Sequence, residues 1–180
     1  MHGTVKKISI LFIFISFQLA LSAVSISIAS DQKPPSPDEY RVTELFQGKP
    51  APVDLNSHPK ASLFRTRLRE GARTGPNFAG HFTIVEWGCG SSCLSLALVE
   101  SSSGKVIFPD EISPVFFAGN PDLSEENIDY GLIYNLDSRL LIIHGIPSNK
   151  KNGGSYYYSF ENDHFKLIKE IQWGAYPDNH

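Results

Sequence analysis

The chain has little positive charge, and this limits the partners it can bind. It carries 16 basic and 19 acidic residues, a formal net charge of −3. The first 29 residues contain two of the lysines and no acid, so the remainder has a charge of 14 − 19 = −5. Proteins that bind nucleic acid draw much of their affinity from lysine and arginine contacts to phosphates. We therefore predict that nucleic acid is not a partner.

Cysteine is also scarce, because Cys89 and Cys93 are the only two in the chain. Neither lies near the N-terminus, so a lipid-anchored protein is not expected. Gly88 and Gly90 give the short loop around them the backbone freedom that closure needs. In an oxidising compartment we predict a disulfide between the cysteines, which contributes about 2 kcal/mol and mainly fixes the shape of the loop.

A long apolar run lies near the N-terminus. Two lysines precede an apolar stretch over residues 8–21, and small residues follow it, an order typical of a secretory signal. Cleavage fits after Ser22 or after Ala29, and we favour the second, which assigns residues 1–29 to the signal. An uncleaved anchor is the open alternative, since a spanning helix needs about 20 apolar residues. It would be the only link of this chain to a membrane.

The remainder has the size of one domain, about 150 residues. Residues 30–56 are proline-rich and polar, and we interpret them as a tether that runs over the surface, with one helical turn near residues 38–46. Residues 57–175 then form the single domain, and residues 176–180 form a C-terminal tail. We predict a periplasmic or secreted location.

One amphipathic helix is predicted at the start of the domain. Ser57 is a suitable N-cap and Pro59 stands near the first helical position, so the helix would cover residues 58–70. Gly71 is suited to the C-terminal cap. The apolar face of the helix would carry three residues at helical spacing, Leu63, Phe64 and Leu68.

Three arginines, Arg65, Arg69 and Arg73, recur at steps of four residues along this segment. Such spacing places them on one side of a helix. Two interpretations are open: a solvated helix face, or a stripe that binds an anion.

Strand patterns follow a turn signal at residues 75–77. They cover seven segments: 82–87, 94–99, 105–108, 130–136, 140–144, 156–160 and 165–171. A looser region separates the third and fourth of these and contains a possible short helix at residues 123–127. No helical connection is long enough for parallel crossovers. We therefore predict an α+β fold, an antiparallel sheet of six or seven short strands with one N-terminal helix packed on it.

Alternation along the first predicted strand, residues 82–87, puts Phe82, Ile84 and Glu86 on one face. It puts Thr83, Val85 and Trp87 on the other, so both faces are mostly apolar. This pattern favours a central strand. Glu86 either reaches solvent at the strand end or lies in a pocket among apolar neighbours, which would raise its pKa and mark a site. Trp87 is either an exposed anchor for a partner or a buried residue that packs over the disulfide. In a later strand Tyr156, Tyr157 and Tyr158 are consecutive, so one of them should face outward.

The spacing of Cys89 and Cys93 does not favour a redox, metal-binding or nucleophilic role for them. A redox pair favours a two-residue gap at a helix N-terminus. A soft-metal site needs further ligands, which His81, His144 and His164 could supply, but no spacing indicates one. A cysteine nucleophile needs a histidine nearby, whereas His81 lies roughly 26 Å before Cys89 along a straight strand. An approach of His144 or His164 across the sheet stays open. We predict no metal, no cofactor and no catalytic set.

Four segments carry a resemblance to known proteins. They are residues 64–71, G-P-N-F-A-G-H at 75–81, W-G-C-G-S-S-C at 87–93 and G-K-V at 104–106. These motifs resemble a family of exported proteins of Gram-negative bacteria with no assigned activity. The resemblance implies a periplasmic or secreted location.

A weaker likeness is to periplasmic inhibitors of lysozyme, which present a short disulfide-closed loop to the enzyme. Their loop carries a histidine and an aspartate, whereas this one has Gly90, Ser91 and Ser92 between the cysteines. The histidine and the aspartate of that family's inhibitory loop are therefore not present between these cysteines.

The leading functional hypothesis is a non-enzymatic binding domain that contacts a protein or an envelope polymer through the disulfide-closed loop. The candidate binding residues are Asn77, His81, Glu86, Trp87, Arg65, Arg69 and Arg73. One alternative is a small periplasmic hydrolase or transferase whose site combines Glu86, Asn77 and a histidine. The others are an inhibitor of an exogenous enzyme such as a lysozyme, and a structural envelope protein without a ligand.

Overall fold

The computed structural model describes residues 33–117 and 131–173. The signal segment, the possible helix at residues 123–127 and the tail at residues 176–180 lie outside these ranges. None of the helices in the described part of the chain is long and apolar enough to cross a membrane.

One α-helix, one 3₁₀ helix and eight strands make up the described fold. In chain order they are the 3₁₀ helix Pro37–Tyr40, α1 Arg65–Ala72, β1 Phe82–Gly90, β2 Cys93–Glu100, β3 Val106–Ile107, β4 Val115–Phe116, β5 Gly131–Ile133, β6 Leu140–Pro147, β7 Gly154–Glu161 and β8 His164–Gln172. All seven predicted strands are present, and β4 is an additional one.

The strands form one antiparallel sheet in the order β1-β2-β4-β6-β7-β8. The two remaining strands are short: β3 pairs with the C-terminal half of β2, and β5 pairs with β6. Strand β4 joins the two halves of the sheet, since it pairs with the start of β2 on one side and with the end of β6 on the other. The α+β prediction, an antiparallel sheet with one helix packed on it, is confirmed.

Strand β1 carries apolar residues on both faces, and each face contributes to a different core. Phe82 and Ile84 belong to the larger core, which contains aromatic residues of β7 and β8. Val85 and Trp87 belong to the smaller core, which contains Leu68 of α1. The predicted alternation along this strand is confirmed, and it places α1 over one face of the β1–β2 hairpin.

The helix begins seven residues later than predicted. Residues 58–64 instead form turns in which an N–H bonds to the carbonyl three residues before it. One example is Ala61 N–H, which donates to the His58 carbonyl at 2.9 Å. The Ser57 hydroxyl does not cap the helix; it donates to the Asp54 carbonyl at 2.6 Å and accepts from Val106 N–H at 2.9 Å. Leu63, assigned to the apolar face, is 76% exposed.

Gly71 lies inside α1 and does not form its C-terminal cap, a role taken by Arg73. A Cβ atom at position 71 would lie 2.5 Å from a methyl carbon of Val85. This glycine is therefore required because helix and strand approach each other closely.

The described part of the proline-rich segment, residues 33–56, is bound along the surface of the sheet. Its backbone N–H groups at Val42, Phe46, Ala51 and Asp54 donate to carbonyls of the domain at 2.8 to 2.9 Å. Residues from Lys33 onward accordingly belong to one compact unit.

The three consecutive tyrosines of β7 are all buried. Tyr156, Tyr157 and Tyr158 are 1%, 7% and 2% exposed. The prediction that one of them faces outward is wrong, because both faces of this inner strand are covered. An exposed tyrosine platform is thereby excluded at these positions.

Candidate functional site

The β1–β2 hairpin ends in a short loop closed by the predicted disulfide. Cys89 and Cys93 are bonded, with their Cα atoms 5.1 Å apart, and the prediction is confirmed. The turn needs unusual backbone angles: Gly90 has φ +144° and Ser92 has φ +51°. Glycine adopts such angles without steric cost, which explains one of the two glycines beside the cysteines.

Strand β4 braces this tip from the side. Phe116 pairs with Cys93, and Phe117 N–H donates to the Ser92 carbonyl at 2.9 Å. Residues 88–92 are exposed, and Phe116 is 45% exposed beside them. We define the hairpin tip as residues 88–93 together with Phe116. It combines covalent closure, a third supporting strand and an exposed aromatic ring.

At the other end of β1, the side chain of Asn77 covers the edge of the sheet. Its Oδ1 accepts from Ile84 N–H at 2.8 Å and its Nδ2 donates to the Ile84 carbonyl at 3.1 Å. The amide thus forms the two hydrogen bonds that a neighbouring strand would supply. In the described sheet β1 pairs only with β2, so the prediction of a central strand is wrong.

Residues 75–81 form a tight turn that brings Asn77 to this position. Ala79 and Gly80 have φ of +46° and +82°, and Phe78, fully buried, pairs with Phe82. Gly80 N–H donates to the Leu136 carbonyl at 2.6 Å. A Cβ atom on Gly80 would collide with the backbone of the N-terminal segment. The motif is explained by these structural requirements.

Trp87 is a core residue. It is 9% exposed, and its ring lies 4.8 Å from that of Phe64 and 6.3 Å from that of Phe108, centroid to centroid. Of its two interpretations, the exposed anchor is therefore excluded. The ring holds the turn that precedes α1 against the base of the hairpin.

Glu86 pairs with a residue that the sequence did not indicate. The hydroxyl of Tyr134 donates to its Oε1 at 2.7 Å. Partial burial raises the pKa of Glu86 above its usual range, and the hydrogen bond from Tyr134 partly offsets this. Burial and the neighbouring carboxylate raise the pKa of Tyr134 as well. Among the residues that the structure describes, Tyr134 is the hydrogen-bond partner of the Glu86 carboxylate, and the pair can accept or donate one proton.

His81 lies away from this pair. It is exposed, its ring stacks 4.4 Å from that of Phe82, and its backbone carbonyl accepts from Ser101 N–H. Five residues of extended strand separate it from Glu86, about 16 Å. Because the Asn77 amide is bonded to the backbone of Ile84, the structure does not bring the side chains of Asn77, His81 and Glu86 together.

The three predicted arginines divide into two groups. Arg65 donates to the Ser62 carbonyl at 3.3 Å. Arg69 and Arg73 line a groove between α1 and the N-terminal segment, and Lys49 lines the opposite side. This groove was not predicted, since residues 48–53 were interpreted as part of a tether.

Metal binding finds no support in the described residues. Within residues 33–117 and 131–173, no group of three or more His, Cys, Asp or Glu side chains could hold a metal ion. The imidazole of His144 contacts the Ser155 hydroxyl at 2.9 Å, and His164 is exposed at the start of β8.

The sequence analysis did not identify three residues of the candidate sites: Phe116, Tyr134 and Lys49. Phe116 lies in a segment that was interpreted as irregular because Pro114 and the Gly119-Asn120-Pro121 run flank it. Tyr134 meets Glu86 only through the pairing of distant strands. The local sequence around Lys49, which lies between Gly48 and Pro50, gives no sign of which helix it faces.

Comparisons with protein-family models, with curated proteins and with solved structures found no match to this chain.

Proposed function

We propose that this protein is a non-enzymatic binding domain that contacts a protein or an envelope polymer through the hairpin tip. The observation that carries the proposal is that the tip is exposed although it is closed by a disulfide and braced by β4. A loop that needed cross-linking only for stability would gain little from so short a closure, about 2 kcal/mol.

The chemistry of the tip suits recognition. A preformed loop loses little conformational entropy on binding, so more of the contact energy appears as affinity. Phe116 supplies an exposed aromatic ring, a residue type enriched in interfaces. The hydroxyls of Ser91 and Ser92, both exposed residues, provide adaptable hydrogen-bonding groups.

Export is part of the same proposal. A disulfide persists in the periplasm or outside the cell, and the N-terminal segment has the order of a secretory signal. The mature protein purified from a periplasmic fraction should begin at Ser30 or Ala23. Recovery only from the cytoplasm, with both cysteines as free thiols, would contradict this part of the proposal.

Site-specific crosslinking tests the binding surface. A photo-reactive amino acid is introduced at Ser91 of the full chain, expressed in a Gram-negative host, and in a matched variant at Ser62, an exposed serine outside the tip. We expect a discrete adduct from position 91 that is absent from position 62. Phe116→Ser should reduce its yield, whereas Leu63→Ser, which also removes an exposed apolar side chain, should leave it unchanged.

The crosslinking results at positions 91 and 62 either support or overturn the proposal. Equal labelling from positions 91 and 62, or an adduct that is insensitive to Phe116→Ser, would overturn the proposal. The narrower candidate, an inhibitor of a lysozyme, shares the disulfide-closed tip and is tested with the purified protein. Lysozyme activity that falls with added wild type and not with the Phe116→Ser variant would favour it.

A further inference from the structure

The groove between α1 and the N-terminal segment carries an unusual arrangement of charge. It has a volume of about 390 Å³, and three cationic side chains line it: Lys49, Arg69 and Arg73. No carboxylate side chain is among its lining residues in the described structure. This arrangement occurs in a chain whose overall charge is negative.

The three cations also lack the partners that other basic residues have. Five basic side chains pair with carboxylates: Arg41, Lys60, Lys105, Arg139 and Lys150. None of the ion pairs among the described residues involves the three cations of the groove. Three cationic side chains that have no carboxylate partner in residues 33–117 and 131–173 therefore line one groove.

The walls of the groove are fixed. On one side, Ala51 N–H donates to the Ser101 carbonyl at 2.8 Å and Asp54 N–H donates to the Gly104 carbonyl at 2.9 Å. A Cβ atom on Gly104 would collide with the Pro52 carbonyl, so the segment lies directly against the β2–β3 turn. On the other side, Ala72 of α1 is 7% exposed and anchors the helix in the smaller core.

The end of α1 does not oppose an anion here. The C-terminal carbonyls of a helix carry partial negative charge that would repel one. The Gly71 carbonyl, however, accepts from the Thr74 N–H at 3.1 Å and from the Thr74 hydroxyl at 2.8 Å, and the Ala72 carbonyl accepts from Gly75 N–H. These hydrogen bonds satisfy the last two carbonyls of α1, those of Gly71 and Ala72.

We propose that this groove binds a compact phosphomonoester, with Arg69 and Arg73 on its terminal oxygens and Lys49 opposite. Guanidinium groups match phosphate oxygens in a bidentate manner, and three positive charges suit a dianion better than a single carboxylate. The volume fits a small ligand or headgroup. The apolar atoms of Pro50, Pro52 and Val53 would contact the organic part of the ligand.

The phosphate can come from a soluble metabolite or from a lipid headgroup, and the experiment distinguishes them. Calorimetry on the mature protein uses glycerol 3-phosphate as the soluble probe. Sedimentation with phosphatidic acid vesicles tests the lipid source, with phosphatidylcholine vesicles as the neutral reference. Saturable binding to either phosphomonoester supports the proposal, and binding confined to the vesicles identifies the lipid as the source.

Two arginine variants decide whether the groove is responsible. Arg69→Gln combined with Arg73→Gln should weaken binding at least about tenfold, because two charge-assisted contacts are lost. The matched control Arg67→Gln removes one exposed charge from the same helix outside the groove and should change affinity less than about twofold. Unchanged melting temperatures confirm that both variants are folded.

Three results would overturn the proposal. They are no binding of either phosphomonoester at millimolar concentration, equal loss in the double variant and in Arg67→Gln, and equal affinity for succinate. Because these substitutions leave the hairpin tip intact, failure here would not affect the crosslinking result at Ser91.

Discussion

The two ends of β1 use their polar groups in opposite ways. At the N-terminal end, residues 75–81 turn sharply and direct the Asn77 amide onto the backbone of Ile84. At the C-terminal end, the tip exposes Ser91 and Ser92 to solvent although a disulfide fixes its shape. A distinctive sequence motif can therefore mark either a structural joint or a contact surface, and the hydrogen-bond partners distinguish the two.

The largest expected effect is at the structural end. Asn77→Ala leaves the N–H and the carbonyl of Ile84 without partners at the edge of the larger core. We expect the free energy of unfolding to fall by about 2–3 kcal/mol, measured by urea denaturation. The exposed Asn149 is the matched control, and Asn149→Ala should cost less than about 0.5 kcal/mol. Equal effects of the two substitutions would show that the Asn77 amide is not a structural joint.

An intermediate effect is expected at the tip. Replacing both Cys89 and Cys93 by serine removes a loop closure of five residues. The free energy of unfolding should decrease by about 2 kcal/mol in the same assay. The crosslinking yield at Ser91 should decrease by more than the fraction of protein that becomes unfolded, because the loop loses its fixed shape. Full crosslinking in this variant would show that rigidity is not required for contact.

The smallest effect concerns Glu86, which lies between the two ends. Its pKa is raised in the folded protein, so the folded state binds its proton more tightly than the unfolded state. Its contribution to stability is therefore complete below the unfolded pKa and is lost as pH rises through the folded pKa. Glu86→Gln removes this dependence, and the change is below about 1 kcal/mol because the partly buried side chain still contacts solvent.

Tyr134→Phe is a second test of how Glu86 makes stability depend on pH. The hydroxyl stabilises the charged carboxylate, so its removal raises the pKa of Glu86 further while the ring keeps its edge contact with Phe78. The decline of stability should then extend to higher pH than in wild type. Denaturation curves recorded between pH 4 and pH 8 that superimpose for all three proteins would contradict this account.

Local patterns were sufficient for much of the fold. Alternation identified β1 and placed Phe82, Ile84 and Val85 on their faces, since this period depends only on strand geometry. The disulfide followed from the compartment and from the glycines beside it.

Features that depend on distant contacts were not predictable in this way. The helix was placed too early because Ser57 resembles an N-cap, whereas its hydroxyl hydrogen-bonds elsewhere. β1 was assigned a central position because its edge is covered by an asparagine side chain instead of a strand. Two apolar faces indicate that a strand is buried on both sides. They do not reveal whether its hydrogen-bonding edge pairs with another strand or with a side chain.

The candidate site shows the same limit. The cysteine loop was identified correctly, but Trp87 beside it is buried, and Phe116 supplies the exposed ring. Arg69 and Arg73 were noted for their spacing, yet their position in a groove depends on the path of residues 48–53. Spacing selects residues on one element, and only the tertiary fold shows which elements meet.

The most direct test of the central claim measures unfolding free energy and Ser91 crosslinking together in Asn77→Ala and Phe116→Ser. The account predicts opposite responses: Asn77→Ala loses stability and retains its adduct under native conditions, whereas Phe116→Ser retains most of its stability and loses the adduct. Loss of both properties in both variants, or an undiminished adduct in Phe116→Ser, would contradict the assignment of the tip as the contact surface.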